Sequence, residues 1–304
     1  MRISKKAAFA GLTTVLMLVG GVAVAGSRVV FNPPGNVKLQ CTGGMSNHGH
    51  EFFAGSNPFG DEPPTGMPVF DGDPDVTVET FIDYDTDFGP DEDGNPIPAG
   101  FRVEEIGLGA HAGTHIDVPT HFIEGARTLD DINPEEFVWP VYVIDVRERM
   151  QTEAVFQLTV EDIRRYERLH GKIERGSLVV IQTGFEERFG DPSYLDGAPG
   201  FAGATVQWMF DNRNIAGTGS DTYGPDAGDD ELFDATYTTL LNDGVAVVAM
   251  NNLDDLAIRG DLLMAPAVRL REGTGFPVNP ISCQGNKSRP RTGPSTVNIG
   301  TDAE

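Results

Sequence analysis

The chain has 304 residues and a formal charge of −24, from 46 acidic against 22 basic side chains. Such an excess excludes nucleic acid and anionic membrane as partners, since both are held through basic patches, and leaves a small-molecule substrate open. Otherwise it reads as a solvated acidic surface.

Residues 1–25 read as an export signal. Arg2, Lys5 and Lys6 precede an uncharged apolar run from Ala7 to Val22, and Ala23-Val24-Ala25 before Gly26 is an A-x-A cleavage triplet. An N-terminal membrane anchor is the alternative, because the run approaches spanning length, but its Gly and Ala content and the triplet favour removal. Cys41 lies too far from that triplet to be a lipoprotein anchor. Removal leaves 279 residues and takes the charge to −27, and a soluble periplasmic or secreted protein of one domain is expected.

From 26 to about 98 the chain is rich in Gly, Pro, Asp and Asn and should be mostly loop, with 26–63 a loop-rich lead-in. Within this stretch 76–82 alternates enough for a strand. His48-Gly49-His50 reads as a flexible surface loop in preference to a metal site. Residues 101–106 should be extended.

The window His111-Ala-Gly-Thr-His115-Ile-Asp117-Val-Pro-Thr-His121 holds three of the six histidines. Imidazole nitrogen and carboxylate oxygen are the donors Zn²⁺ or Mn²⁺ takes from proteins, and two His plus one Asp leave a coordination position for water. Pro119 with β-branched Ile116 and Val118 argues against a helix. In a strand, His115 and Asp117 point the same way. His111 and His121 join them only if the chain bends twice, and Gly113 and Pro119 are suited to those bends. The bland alternative is a loop whose histidines serve only as hydrogen-bond partners.

Regular elements follow: strand 138–146, then helix 158–170, capped by Thr159 with Asp162 three residues on. Strand 177–182, helix 204–212, strand 215–219, helix 231–241 and strand 245–250 alternate after it, and 262–270 adds a strand. This is an α/β pattern with a core sheet, part of it buried on both faces because 245–250 is continuously apolar. Residues 286–304 should be a disordered tail. In an oxidising compartment Cys41 and Cys283 are expected to pair, the alternatives being free buried thiols or an intermolecular bridge.

The window matches His-x-Gly-Thr-His-x-Asp-x-Pro-x-His, the hallmark of the cyclase family of metal-dependent hydrolases, the group that includes bacterial kynurenine formamidase. Gly66-Met-Pro-Val-Phe-Asp-Gly-Asp-Pro74, Glu124-Gly-Ala-Arg-Thr-Leu-Asp130, Pro199-Gly-Phe201 with Trp208, and Gly219-Ser-Asp221 resemble further stretches of that family, so that roughly 64–275 is covered, within a hydrolase domain of 64–285. The resemblance implies a mixed, partly rolled β-sheet flanked by helices, often in a homodimer. It implies His111, His115 and Asp117 as metal ligands and His121 as ligand or proton carrier. His121, neutral near pH 7, could take a proton from water and hand it to the leaving group.

Two-metal members carry a further His and Glu, and here Tyr237 stands where the His belongs. The Glu position falls on Val248 or Ala249. One divalent ion is therefore expected. Asp221, Tyr237 and Asn251 are candidates for substrate contact or for positions behind the ligands. The leading reading is an exported hydrolase of an amide, cyclic amide or lactone-type carbonyl. A non-catalytic metal- or ligand-binding protein of the same fold is the alternative, and a metal-dependent lyase or dehydratase ranks third. The export signal and missing ligands argue against kynurenine formamidase activity itself.

Overall fold

The computed structural model describes residue 41 and residues 44–51, 56–57, 67–68 and 73–284. The export signal at 1–25 and the tail at 286–304 lie outside the described residues. Nine strands form one mixed sheet: β1 (Gly44–Asn47), β2 (His115–Asp117), β3 (Val138–Asp145), β4 (Leu178–Gln182), β5 (Gly217–Ser220), β6 (Val245–Val248), β7 (Arg259–Met264), β8 (Gly275–Pro277) and β9 (Ile281–Gln284). Their lateral order is β1-β9-β7-β3-β4-β5-β6-β2-β8. β3 to β6 run parallel, and all other pairings are antiparallel. The sheet curls into a half-barrel.

Three helices join the parallel strands in turn: α1 (Val160–His170), α2 (Gly203–Arg213) and α3 (Asp234–Leu241). Parallel neighbours need such crossovers, which is why strand and helix alternate in the sequence. Side chains alternate between the two faces with a period of two. Val141, Val143, Leu178, Val180 and Val247 pack with Ile116, Trp139 and Leu253 on one face. Tyr142, Ile144, Val179 and Ile181 meet Ile163 and Tyr166 of α1 and Val206 and Met209 of α2 on the other. Each fully buried aliphatic side chain contributes about 1.5–3 kcal/mol. The double-sided core therefore gives the strand ends a rigid base.

α1 starts as its sequence requires, with Thr159 accepting from the Asp162 N–H while the Asp162 carboxylate accepts from Thr159 N and Oγ1. The helix expected at 231–241 begins at 234, because Phe233 is left-handed (φ 55°) and Asp230 takes the N–H groups of Leu232 and Asp234. The strand expected at 262–270 ends at Met264. Pro266 has no N–H to continue the ladder.

The segment 77–107 is more ordered than its composition suggests. Thr77–Ile82 pairs with Val103–Gly107 and Asp87–Pro90 with Pro96–Pro98, in two small sheets of their own. Phe81, Tyr84, Phe88 and Ile106 on this arm are each more than half exposed.

At the far edge β1 pairs with β9, and Cys41 is disulfide-bonded to Cys283 with a Cα–Cα distance of 4.9 Å. His48-Gly49-His50, next along the chain, is not an exposed loop, and among the described residues neither histidine joins a group that could hold a metal. His48 is fully buried, with Nδ1 at 3.0 Å from the Asn251 carbonyl and Nε2 at 2.8 Å from Ser282 Oγ. His50 stacks on Phe189 at 3.6 Å, and its N–H donates to Thr114 Oγ1. The sequence around these histidines gave no sign of the distant partners that bury them.

Candidate metal centre

Strand β2 is only three residues long, but it lies between β6 and β8 and is buried throughout. Asp117 sits opposite Ala246 and Gly275, and His115 opposite Val248 and Pro277. His115 and Asp117 therefore share a face, while Ile116 turns into the core. Gly113, at φ 57°, reverses the chain and returns His111 to that face. Pro119 opens a 3-10 turn, closed by the His121 N–H on the Val118 carbonyl, that brings His121 back. Both expected bends are used.

One ligand atom from each of His111, His115 and Asp117 falls within a mutual 4.8 Å. His111 Nδ1 lies 2.7 Å and His115 Nε2 3.2 Å from Asp117 Oδ1. The remaining ring nitrogens have oxygen partners: His115 Nδ1 lies 2.8 Å from the Gly113 carbonyl, and His111 Nε2 2.9 Å from Thr274 Oγ1. Two imidazoles and a carboxylate converging in this way, each imidazole held from behind, fit a divalent cation of the Zn or Mn type.

Electrostatics agree with that fit. Burial works against a charged His115, yet the Asp117 carboxylate prevails and raises its pKa. Burial would likewise raise Asp117, but His115 and His111 hold it far below the ordinary carboxylate range. Donors that attract a proton this strongly are ones a cation competes for. His121 differs. Burial lowers its pKa, with Asp117 opposing and His111 and His115 adding to the fall, so its ring is neutral near pH 7. It stacks on His111 at 3.8 Å and stands outside the ligand group.

The centre forms the floor of a cavity of about 450 Å³. Tyr223 lines it and donates its hydroxyl to the His111 carbonyl at 2.8 Å. Tyr194, Phe122 and Phe233 add aromatic walls. Beyond Asp117, the lining carries Asp73, Asp196, Asp226, Asp230 and Glu231, and among the described residues no Lys or Arg. Asp226 accepts from the Ala235 and Thr236 N–H groups and the Thr236 hydroxyl at the start of α3. Burial nevertheless pushes its carboxyl up to about 6.

The other sequence candidates lie away from the cavity. Asp221 is fully buried one layer behind it, accepting from Thr183 N, Thr183 Oγ1 and Gly184 N, while its carbonyl takes the Tyr194 hydroxyl. Burial pushes its carboxyl up to about 6 in spite of those bonds. Asn251 is bound through its main chain to His48. Tyr237 is 43% exposed and does not line the cavity. Sequence reasoning missed Thr274, Tyr223 and the acidic lining. Tyr223 alone had a signal, since it lies just past a parallel strand end, where ligands of open α/β sheets bind.

A family described as putative cyclase matches residues 46–227. The chain belongs to the cyclase family. It is 29% identical over 224 residues to an isatin hydrolase of Roseibium aggregatum, covering 69% of this chain and 81% of that one. It is 25% identical over 203 residues to a kynurenine formamidase of Bacillus cereus, covering 67% and 88%. Among solved structures, isatin hydrolase A from Labrenzia aggregata bound to benzyl benzoate superposes with a TM-score of 0.66 at 27% identity, over 79% of this chain and 93% of that chain. This member of the family is a metal-dependent hydrolase, and His111, His115 and Asp117 could hold the ion.

Proposed function

We propose that the chain hydrolyses an uncharged cyclic amide with the help of one divalent ion, Zn or Mn, held by His111, His115 and Asp117. The observation that carries this reading is the convergence of those three donors on the floor of a cavity lined by carboxylates and aromatic rings. When bound, the ion supplies Lewis acidity toward an amide carbonyl and toward water. His121, neutral and lining the same cavity, accepts a proton from the attacking water and returns it to the leaving nitrogen. Tyr194, Tyr223, Phe122 and Phe233 offer flat apolar surface to a planar ring.

Charge narrows the substrate. A substrate carboxylate would meet Asp196, Asp226, Asp230 and Glu231 with no Lys or Arg among the described lining residues to offset them, so an uncharged ring is favoured over an amide that carries an acid. Ring opening creates a carboxylate product, which the same wall repels toward solvent. The test is metal content followed by turnover on paired cyclic amides, one uncharged and one bearing a carboxylate, at low and high ionic strength. Preference for the uncharged member, weakening as salt screens the wall, is expected. Metal without turnover on a broad amide and lactone panel would instead make the chain a binding protein.

Export and dimerisation belong to the same proposal. The basic, apolar and A-x-A segments of residues 1–25 and the Cys41–Cys283 bridge support an oxidising, exported location. A mature N-terminus at Gly26 in the periplasmic or culture fraction is the expected finding, and cytoplasmic retention would refute it. The apolar arm at 77–107 supports a homodimer, because a two-stranded hairpin bearing this much exposed apolar surface gains stability when covered. Light scattering should return twice the chain mass.

A further inference from the structure

His115 and Asp117 take their directions from strand β2, but His111 lies outside it on the preceding turn. Its ring is therefore not oriented by sheet pairing. Besides Asp117 at Nδ1 and the stacked His121, the ring is held by a contact 163 residues away in sequence: Nε2 lies 2.9 Å from Thr274 Oγ1. Thr274 is itself fixed, since its carbonyl accepts the Val118 N–H at 3.1 Å where the chain leaves β2. The next residue, Gly275, faces Asp117 across the ladder. A Cβ there would come within 2.7 Å of His111 Cε1 and 2.5 Å of the Ile116 carbonyl, so the imidazole rests against a position that has room only for glycine.

We propose that Thr274 is a positioning residue for the metal centre, its hydroxyl fixing His111 with Nδ1 turned toward the cation. Nε2 lies 2.9 Å from Thr274 Oγ1 and Nδ1 2.7 Å from Asp117 Oδ1. With an N–H at Nε2 donating to Thr274, the Nδ1 lone pair would be free for a cation held between it and Asp117, whereas without a cation the Nδ1 contact needs the proton on Nδ1. Gly275 supplies the space, and Tyr223 holds the His111 carbonyl from the other side. Without the hydroxyl the ring can exchange tautomers and rotate, and the free His111 must be ordered each time an ion enters. Partners of this kind behind a ligating imidazole are worth about 10–100-fold in metal affinity. This inference rests on the metal-centre reading but adds a residue to it from the end of the chain opposite the motif.

The test compares wild type, Thr274→Val and Thr274→Ser in the mature full-length chain. Mn²⁺ and Zn²⁺ affinities are measured by competition with a chelating indicator, alongside melting of the metal-free proteins. Thr274→Val keeps the shape and loses the hydrogen bond, and should bind about 10–100-fold more weakly. Thr274→Ser restores the hydroxyl and should return to within about threefold of wild type, whatever packing the lost methyl costs. Two results overturn the role of Thr274 while leaving the metal centre standing: Thr274→Val within threefold of wild type, or Thr274→Ser falling as far as Thr274→Val. A wild-type protein that takes up neither ion refutes the centre, and this inference with it.

Discussion

Replacing His121 by Ala separates catalysis from metal binding. The ring stands outside the group formed by His111, His115 and Asp117, so its loss removes no donor. What it removes from the centre is a stacking contact with His111 at 3.8 Å. A ring pair of this kind is worth about 0.5–1.5 kcal/mol, which bounds the loss of metal affinity at roughly tenfold. Turnover should fall much further, by the roughly 10²–10⁴ of a general base, equivalent to about 3–5 kcal/mol of barrier. Because burial holds the His121 pKa below its ordinary value, kcat/KM of the wild type should stay flat through pH 7 and fall on the acid side below about 6.5. The variant should lose that acid limb. The assay is metal content by mass spectrometry and a pH–rate profile on an uncharged cyclic amide under saturating ion. Turnover within tenfold of wild type, or loss of the ion, refutes the assignment of His121 as proton carrier.

Other expectations follow from the same geometry. Burial, with Asp221 and Asp254 nearby, pushes the Glu186 carboxyl up from 4.5 to about 7 against the Leu253 N–H bond that would lower it. Its contribution to stability is therefore complete below the unfolded-state pKa and lost as pH rises through about 7. Glu186→Gln should gain about 1–2 kcal/mol on wild type between pH 5 and pH 8, after discounting for partial solvent access; a constant difference between their melting curves at the two pH values would show the carboxyl is not perturbed. Asp117→Asn and His115→Ala should each abolish stoichiometric metal binding in dialysis against trace ion, and retention by either variant contradicts the three-donor centre. Val248→Glu alone should melt lower than wild type, because a polar side chain replaces a fully buried valine, and should still bind one ion. Uptake of a second ion by this variant would count against the single-ion reading.

What the sequence made legible was mostly local. Gly113, Pro119 and the alternation of His115 and Asp117 fix dihedral angles and side-chain directions within eleven residues, so the window could be folded on paper. The same holds for the Thr159 and Asp162 cap of α1 and for the apolar strands. Long-range closure was hidden. Thr274 behind His111, Ser282 against His48, and β1 paired with β9 are each joined across more than 150 residues, and no periodicity in one segment names its partner. The start of α3 was misplaced because Asp230, Phe233 and Asp226 settle it through side-chain hydrogen bonds and a left-handed residue, against local helix propensity.

The single-ion reading also has a structural reason at the end of β6. The sequence left the second-metal Glu position between Val248 and Ala249, and the ladder distinguishes them. Val248 lies opposite His115, so the two side chains project from the same face, whereas Ala249 has left the strand at φ 49° with its N–H given to the Thr222 carbonyl and its carbonyl taken by Thr114 Oγ1. A carboxylate could reach the centre only from 248, and there the chain carries a fully buried valine. Its counterpart at 237 is equally out of reach: Thr236 lines the cavity, while Tyr237, one residue on, is turned partly to solvent. A second cation would need both positions to supply donors at once. A change at 248 alone replaces a fully buried valine with one donor, and a change at 237 alone adds a partly exposed side chain. Neither single step completes a second site, which is why the proposed chemistry is placed on three ligands, on His121, and on the residues that hold His111 in place.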